Sequence, residues 1–219
     1  GKNHHLIHQG EVQALGDQGV ALNFDFGHNP LGDAAEYRGS WIRTREDEPG
    51  KVVNRPLLPE LQGALLKQVD ISGVVQGKQA AMYISPNALV DNINVLNGAV
   101  VQGDIVSEYH QYDANNQLRT TQLNLGYGKD AHGKATTAAD QAFIFHYNGN
   151  IKGLNNLVLQ TQGGTTHLNG QHELVAVNVA ANSTLAGNST YRLNGQQAGV
   201  FHNQGTLSPG NSFGAITIQ

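Results

Sequence analysis

Val69-Asp70-Ile71-Ser72-Gly73-Val74-Val75-Gln76-Gly77 is answered further along the chain by Ile93-Asn94-Val95-Leu96-Asn97-Gly98-Ala99-Val100-Val101-Gln102-Gly103. In each stretch a short alternating apolar run meets a glycine, and a second apolar pulse ends on Gln-Gly. The central glycines, Gly73 and Gly98, stand 25 residues apart. Leu168-Asn169-Gly170 returns as Leu193-Asn194-Gly195 at the same spacing, and Asn148-Gly149-Asn150-Ile151-Lys152-Gly153 belongs to the same series. Short apolar pulses divided by Asn-Gly or Ser-Gly steps, recurring every twenty to twenty-five residues or so, predict an all-β solenoid. Each turn of chain is one coil whose inward residues stack on the next, with Gly or Asn where the backbone takes a positive φ. The alternative is an antiparallel β-sandwich, which calls for strands every ~8–12 residues and tight two-residue hairpins. The recurrence at 25 favours the solenoid.

Working outward from this pair, residues 65–219 read as repetitive coils interrupted by loops at 108–120 and 126–142. The second loop is Gly-rich and runs from Gly126 to Ala135, ahead of the aromatic strand Phe143-Ile144-Phe145-His146-Tyr147. Residues 1–64 form a less regular N-terminal part of the same unit. Within it, Val20, Leu22, Phe24 and Phe26 alternate with polar or small residues between two glycines, which predicts a strand. Ala34–Arg43 fits a short helix or an irregular strand. The stretch 43–59, with the chain's densest run of charges and three prolines, reads as an exposed loop. Helical periodicity is nearly absent; Pro59–Lys67 is long enough for a turn or two, weakened by Gly63.

The bulk composition narrows the function classes. The 219 residues carry a net charge of −4 with only 14% charged side chains, so no basic footprint exists for nucleic acid or an anionic membrane. Cysteine is absent and no apolar run approaches the ~18 residues of a spanning helix. The first residue is Gly1 rather than Met, which reads as a piece of a longer protein.

The residues offer little for catalysis. Ser183 and Ser189 sit among Asn, Thr and Gly, and Ser208 and Ser212 flank a Pro-Gly turn; none has a nucleophile's surroundings. Ten histidines raise a metal hypothesis. Yet His4, His5 and His8, and His167 with His172 and Glu173, lack zinc-site spacing. Asp113-Ala-Asn-Asn and Asp130-Ala-His-Gly echo calcium loops without the alternating oxygen ligands or late glutamate. A polysaccharide-cleaving site needs clustered acids, and Asp70, Asp91 and Asp104 are not visibly grouped. The expectation is therefore no catalytic residue, no cofactor and no metal. A binding surface, if present, is sought at Arg43 and Arg45 in the 43–59 loop and at Tyr109, Tyr112, Tyr127 and Tyr147, which read equally well as flank-capping residues.

The terminal stretch Gly205-Thr-Leu-Ser-Pro-Gly-Asn-Ser-Phe-Gly-Ala-Ile-Thr-Ile-Gln219 contains a Pro209-Gly210 turn and an alternating strand. It resembles the late β-helix segment of bacterial autotransporter passengers. Phe24-Asp-Phe-Gly27, Leu31–Ser40, Ala81-Met-Tyr-Ile-Ser85, Ile93–Ala99, Gly103-Asp-Ile-Val-Ser107 and Gly170-Gln-His-Glu-Leu174 resemble passengers downstream of the protease in subtilase autotransporters. The resemblance implies a right-handed parallel β-helix at the bacterial cell surface or secreted, exported through a C-terminal β-barrel of the parent. The implied role is a stalk, adhesive or scaffolding part for an N-terminal head domain. The implied partners are that head or protease domain, the barrel, a host-surface protein or glycan, or another copy. The alternative is an accessory part of a secreted subtilisin-like serine protease whose catalytic domain lies outside this chain. No nucleic-acid binding and no membrane insertion by these residues are implied.

Overall fold

The computed structural model describes residues 4–25, 63–209 and the backbone of strands at 40–42, 52–54 and 216–218. Three short strands open the chain: β1 (His5–His8), β2 (Glu11–Ala14) and β3 (Val20–Phe24). A two-stranded antiparallel pair follows, β4 (Ser40–Ile42) with β5 (Val52–Asn54), placing Trp41 opposite Val53. Phe26, the rest of the expected 34–43 helix or strand and the rest of the expected 43–59 loop lie outside the described residues.

The trio then recurs. The second set is β6 (Leu66–Ile71), β7 (Val74–Gly77) and β8 (Ala80–Ile84). The third is β9 (Val90–Val95), β10 (Val100–Gln102) and β11 (Ile105–Ser107). After β12 (Thr121–Leu125) the chain makes a hairpin of β13 (Tyr127–Lys129) and β14 (Ala135–Ala139), then β15 (Ile144–Tyr147) and the long β16 (Ile151–Thr161). It continues through β17 (Gly164–Leu168), the long β18 (Gly170–Val179), β19 (Ser183–Ala186) and β20 (Ser189–Leu193). The last trio is β21 (Phe201–Asn203), β22 (Thr206–Ser208) and β23 (Ile216–Ile218). Leu66 and Lys67, expected as the end of a short helix, begin strand β6; the pull of the parallel neighbour β1 outweighs weak local helix preference.

Each strand pairs in parallel with its counterpart in the next trio, giving three rows. The first runs β1, β6, β9, β12, then the C-terminal halves of β16 and β18, then β21. The second runs β3, β8, β11, the N-terminal halves of β16 and β18, β20 and β23. The third is split: β2, β7 and β10 form one sheet, and β15, β17, β19 and β22 another. Parallel ladders are the opposite of what an antiparallel sandwich requires. Among the described residues, antiparallel pairing is confined to β4–β5, β13–β14 and the Tyr112–Leu118 bridge.

Alternation along each strand turns one side of every row toward a shared apolar core. Val69, Ile93, Leu123, Leu159 and Val177 occupy that core in the first row. Met82, Ile105 and Ile151 do so in the second, and Val75, Val101, Phe145 and Leu185 in the third. Phe145 and Tyr147 stack within the core, ring centroids 6.1 Å apart. Each such fully buried side chain contributes roughly 1.5–3 kcal/mol.

The echo at Gly73 and Gly98 marks equivalent corners, since Ile71 pairs with Val95 and Val74 with Val100. The echo at Leu168 and Leu193 does not. Leu168 ends β17, whereas Leu193 pairs with Leu174 in the second row, so the two Asn-Gly steps turn different corners. Some corners leave no space for a side chain. At Gly103, with φ +115°, a Cβ would strike the carbonyl oxygen of Gly77 and the amide of Ala81 in the tier beneath. Gly103→Ala is therefore expected to lower stability by about 2 kcal/mol or more. A urea titration that reads the unfolding midpoint checks this, and an unchanged midpoint would contradict the stacking of these corners.

Candidate functional site

Two insertions flank β12, and both close on the same turn. In the first, Asp113 Oδ1 accepts from the amides of Asn115 (2.8 Å) and Gln117 (3.0 Å), and Asn116 takes φ +60°. In the second, Asp130 Oδ1 accepts from His132 (2.8 Å) and Lys134 (3.0 Å), and Gly133 takes φ +79°. The pattern is a type I turn followed by a left-handed residue, a standard hairpin closure. The sequences that echoed calcium loops thus use their carboxylates on backbone amides. Those amides, Lys134's first, hold the Asp130 carboxyl below its ordinary range. The stretch expected as a Gly-rich loop is this second hairpin.

The hairpins lean over the outward face of the first row. Leu118 packs on Val158 and Val175, with Tyr112 and Ala176 alongside. On the other side of β12, the amide of Ala135 donates to Asp70 Oδ2 at 3.0 Å, and Lys129 Nζ donates to the carbonyl of Asn97 at 2.9 Å. Asp70 is fully buried, and its oxygens also accept from Gln68 Nε2 and Asn94 Nδ2. Asn124 Nδ2 continues the chain by donating to Asn94 Oδ1 at 3.0 Å.

The expected aromatic surface patch is not assembled. Tyr109 and Tyr147 are each 1% exposed, whereas Tyr112 and Tyr127 are only half-buried. Burial pushes the Tyr109 hydroxyl up to about 12, against the pull of Arg119. Tyr147 Oη donates to the carbonyl of Gly103 at 2.6 Å, spanning the split between β10 and β15. Arg43 and Arg45 lie outside the described residues.

A concave polar surface lies on the second row, where β16, β18 and β20 run side by side. A cavity of about 400 Å³ there is lined by Asn150, Lys152, Gln171, Glu173, Thr190 and Arg192, with His172 beneath. Register explains the lining. Lys152, Glu173 and Arg192 pair with one another across three strands, and Gln171 pairs with Thr190. Arg192 reaches Glu173 at 2.9 Å, and Lys152 reaches Asp104 at 3.1 Å. These pairs are exposed and contribute little to stability, so an incoming polar ligand exchanges them at low cost. Sequence reading missed this site because Lys152, Glu173 and Arg192 become neighbours only once the tier lengths are known.

His167 and His172, considered together from the sequence, part company. His167 lies on the outer face of the third row beside His146, while His172 is 1% exposed in the core. The His172 ring lies 5.3 Å from that of Tyr191, and Ile151 donates its amide to His172 Nδ1 at 3.2 Å. Buried serines are equally occupied: Ser183 Oγ donates to the carbonyl of Ala180 and Ser189 Oγ to that of Leu168. Among the described residues no group of three or more metal-ligating side chains is found. Comparison with models of known families, with curated proteins and with solved structures finds no match to this chain.

Two outcomes are expected from this geometry. Asp70→Ala leaves Gln68, Asn94 and Ala135 donors without an acceptor, costing about 2 kcal/mol or more. Hydrogen exchange should quicken at the β13–β14 amides while those of β16 and β18 stay protected. Burial lowers the His172 pKa to about 4, with a backbone hydrogen bond at Asn169 opposing. Its ordinary value is 6.5, so the neutral ring contributes full stability above that pH and loses it as pH falls toward 4. The loss amounts to roughly 3 kcal/mol. Denaturation at pH 7.5 and 4.5 should show this sensitivity in the parent and much less of it in His172→Asn, which keeps an acceptor for the Ile151 amide.

Proposed function

We propose that the three parallel rows close into a right-handed β-helix and that the chain is a non-catalytic stalk of an autotransporter passenger, presented at a bacterial surface or secreted. The observation that carries this reading is the continuity of the ladders. β1 and β3 pair with β6 and β8, and the first and second rows run on without a break to β21 and β23, while the third follows the same parallel pairing on either side of its split. Each tier contacts its neighbours, which suits a spacer between a head domain and the membrane and offers long faces for adhesion. The resemblance of Gly205–Gln219 to passenger segments supports the same class. Within this reading the Lys152–Glu173–Arg192 face is the contact surface, toward a host-surface protein or glycan.

The test displays the chain on a non-adherent bacterium and measures cell aggregation and retention on matrix- and glycan-coated surfaces. A several-fold gain over the empty carrier is expected, lost in the Lys152→Gln, Glu173→Gln, Arg192→Gln triple variant. A serine-reactive probe is applied in parallel and is expected to leave the chain unlabelled. Labelling of a longer parent alone would make this segment the accessory part of a secreted protease, and labelling of the chain itself would overturn the proposal. Small-angle scattering should give an elongated particle, and a compact one would contradict the β-helix.

A further inference from the structure

His146 on β15 and His167 on β17 occupy paired positions of a parallel ladder. Their rings stack with centroids 4.3 Å apart and planes within 10°. Both lie on the outer side of their strands, between the buried Phe145 and Tyr147 in one and Thr166 and Leu168 in the other. Asn148 and Asn169 flank the pair at the next corner, joined by an amide hydrogen bond of 2.7 Å. Elsewhere in the described ladders histidines face other residues: His5 faces Gln68, His8 Ile71, His172 Ile151 and Tyr191, and His202 Asn178.

Neutral imidazole is the form that binds first-row transition metals. Zinc–nitrogen bonds are about 2.0–2.1 Å, so two nitrogens on one tetrahedral ion lie only ~3.3 Å apart. The rings stand parallel with centroids 4.3 Å apart, so sharing one ion requires them to turn out of the stack about χ2, a broad torsion in histidine. The strands are fixed by the ladder, so no backbone movement is needed.

We propose that His146 and His167 form a two-imidazole site for a first-row transition dication such as zinc, water completing the coordination. The ion would clamp the β15 tier to the β17 tier, next to the split in the third row.

The experiment uses the full chain carrying His4→Asn and His5→Asn, which removes the exposed N-terminal competitors. Zinc chloride is titrated while the histidine ring nitrogens are followed by NMR. The expected result is a concerted change at the His146 and His167 rings with one-to-one stoichiometry. Either His146→Asn or His167→Asn should weaken binding by about tenfold or more, some 1.4 kcal/mol. A zinc-dependent rise in melting temperature should vanish in the double variant. Both side chains are outward, and a circular dichroism spectrum confirms that each variant folds. Zinc that perturbs neither ring, perturbs only other histidines, or binds a single variant as tightly as the parent overturns the proposal.

Discussion

The in-register parallel ladder is the constraint on which everything else rests. Each backbone hydrogen bond between tiers fixes not only two strands but the identity of the side chains stacked above one another. Val69 over Ile93 over Leu123 is a consequence of register, as is the superposition of corners that excludes a Cβ at Gly103. Tier lengths nevertheless differ: Asp70 pairs with Asn94, Asn94 with Asn124 and Gln160 with Asn178. The ladder accommodates this by expelling surplus chain at the corners, so the two hairpins flanking β12 leave the core undisturbed.

Register also explains the polar chemistry of the outer faces. Side chains at one position of successive parallel strands lie about 4.8 Å apart, and like charges there would repel. The row Asp70, Asn94, Asn124, Gln160, Asn178 and His202 meets this with a single carboxylate followed by neutral side chains, Asn94 donating to Asp70 and Asn124 to Asn94. Lys152, Glu173 and Arg192 meet it by alternating sign. The low charge and high amide content thus follow from parallel stacking. The same register places the His146 ring directly against that of His167.

Much of the strand pattern was legible before any coordinates. Alternation and glycine corners at Val69–Gly77 and Ile93–Gly103 gave both the strand type and the stacking, and β3 and β23 fall inside stretches read as alternating. What depended on tier length was not legible. The Leu168 and Leu193 echo joined different corners because coils of unequal length shift the phase. Tyr109 and Tyr147 looked like surface aromatics because inward and outward positions cannot be separated until register is known. The face at Lys152, Glu173 and Arg192 was invisible for the same reason: its members are distant in sequence and unremarkable singly. The hairpin turns did carry a local signal, Asp followed three residues later by Asn or Gly, though it resembled a metal loop as much as a turn.

The split third row gives the molecule a mechanical grain. Two rows run without interruption, but between β10 and β15 the third is joined through Asn97, whose side chain meets the Ala142 carbonyl and the Ile144 amide, and through the Tyr147 hydroxyl on Gly103. Side-chain bridges yield more readily than a backbone ladder. The first and second rows are therefore held by unbroken backbone ladders, whereas the third is held across this seam by side-chain hydrogen bonds. The cohesion of the third row at its split thus rests on the hydrogen bonds of one tyrosine and one asparagine.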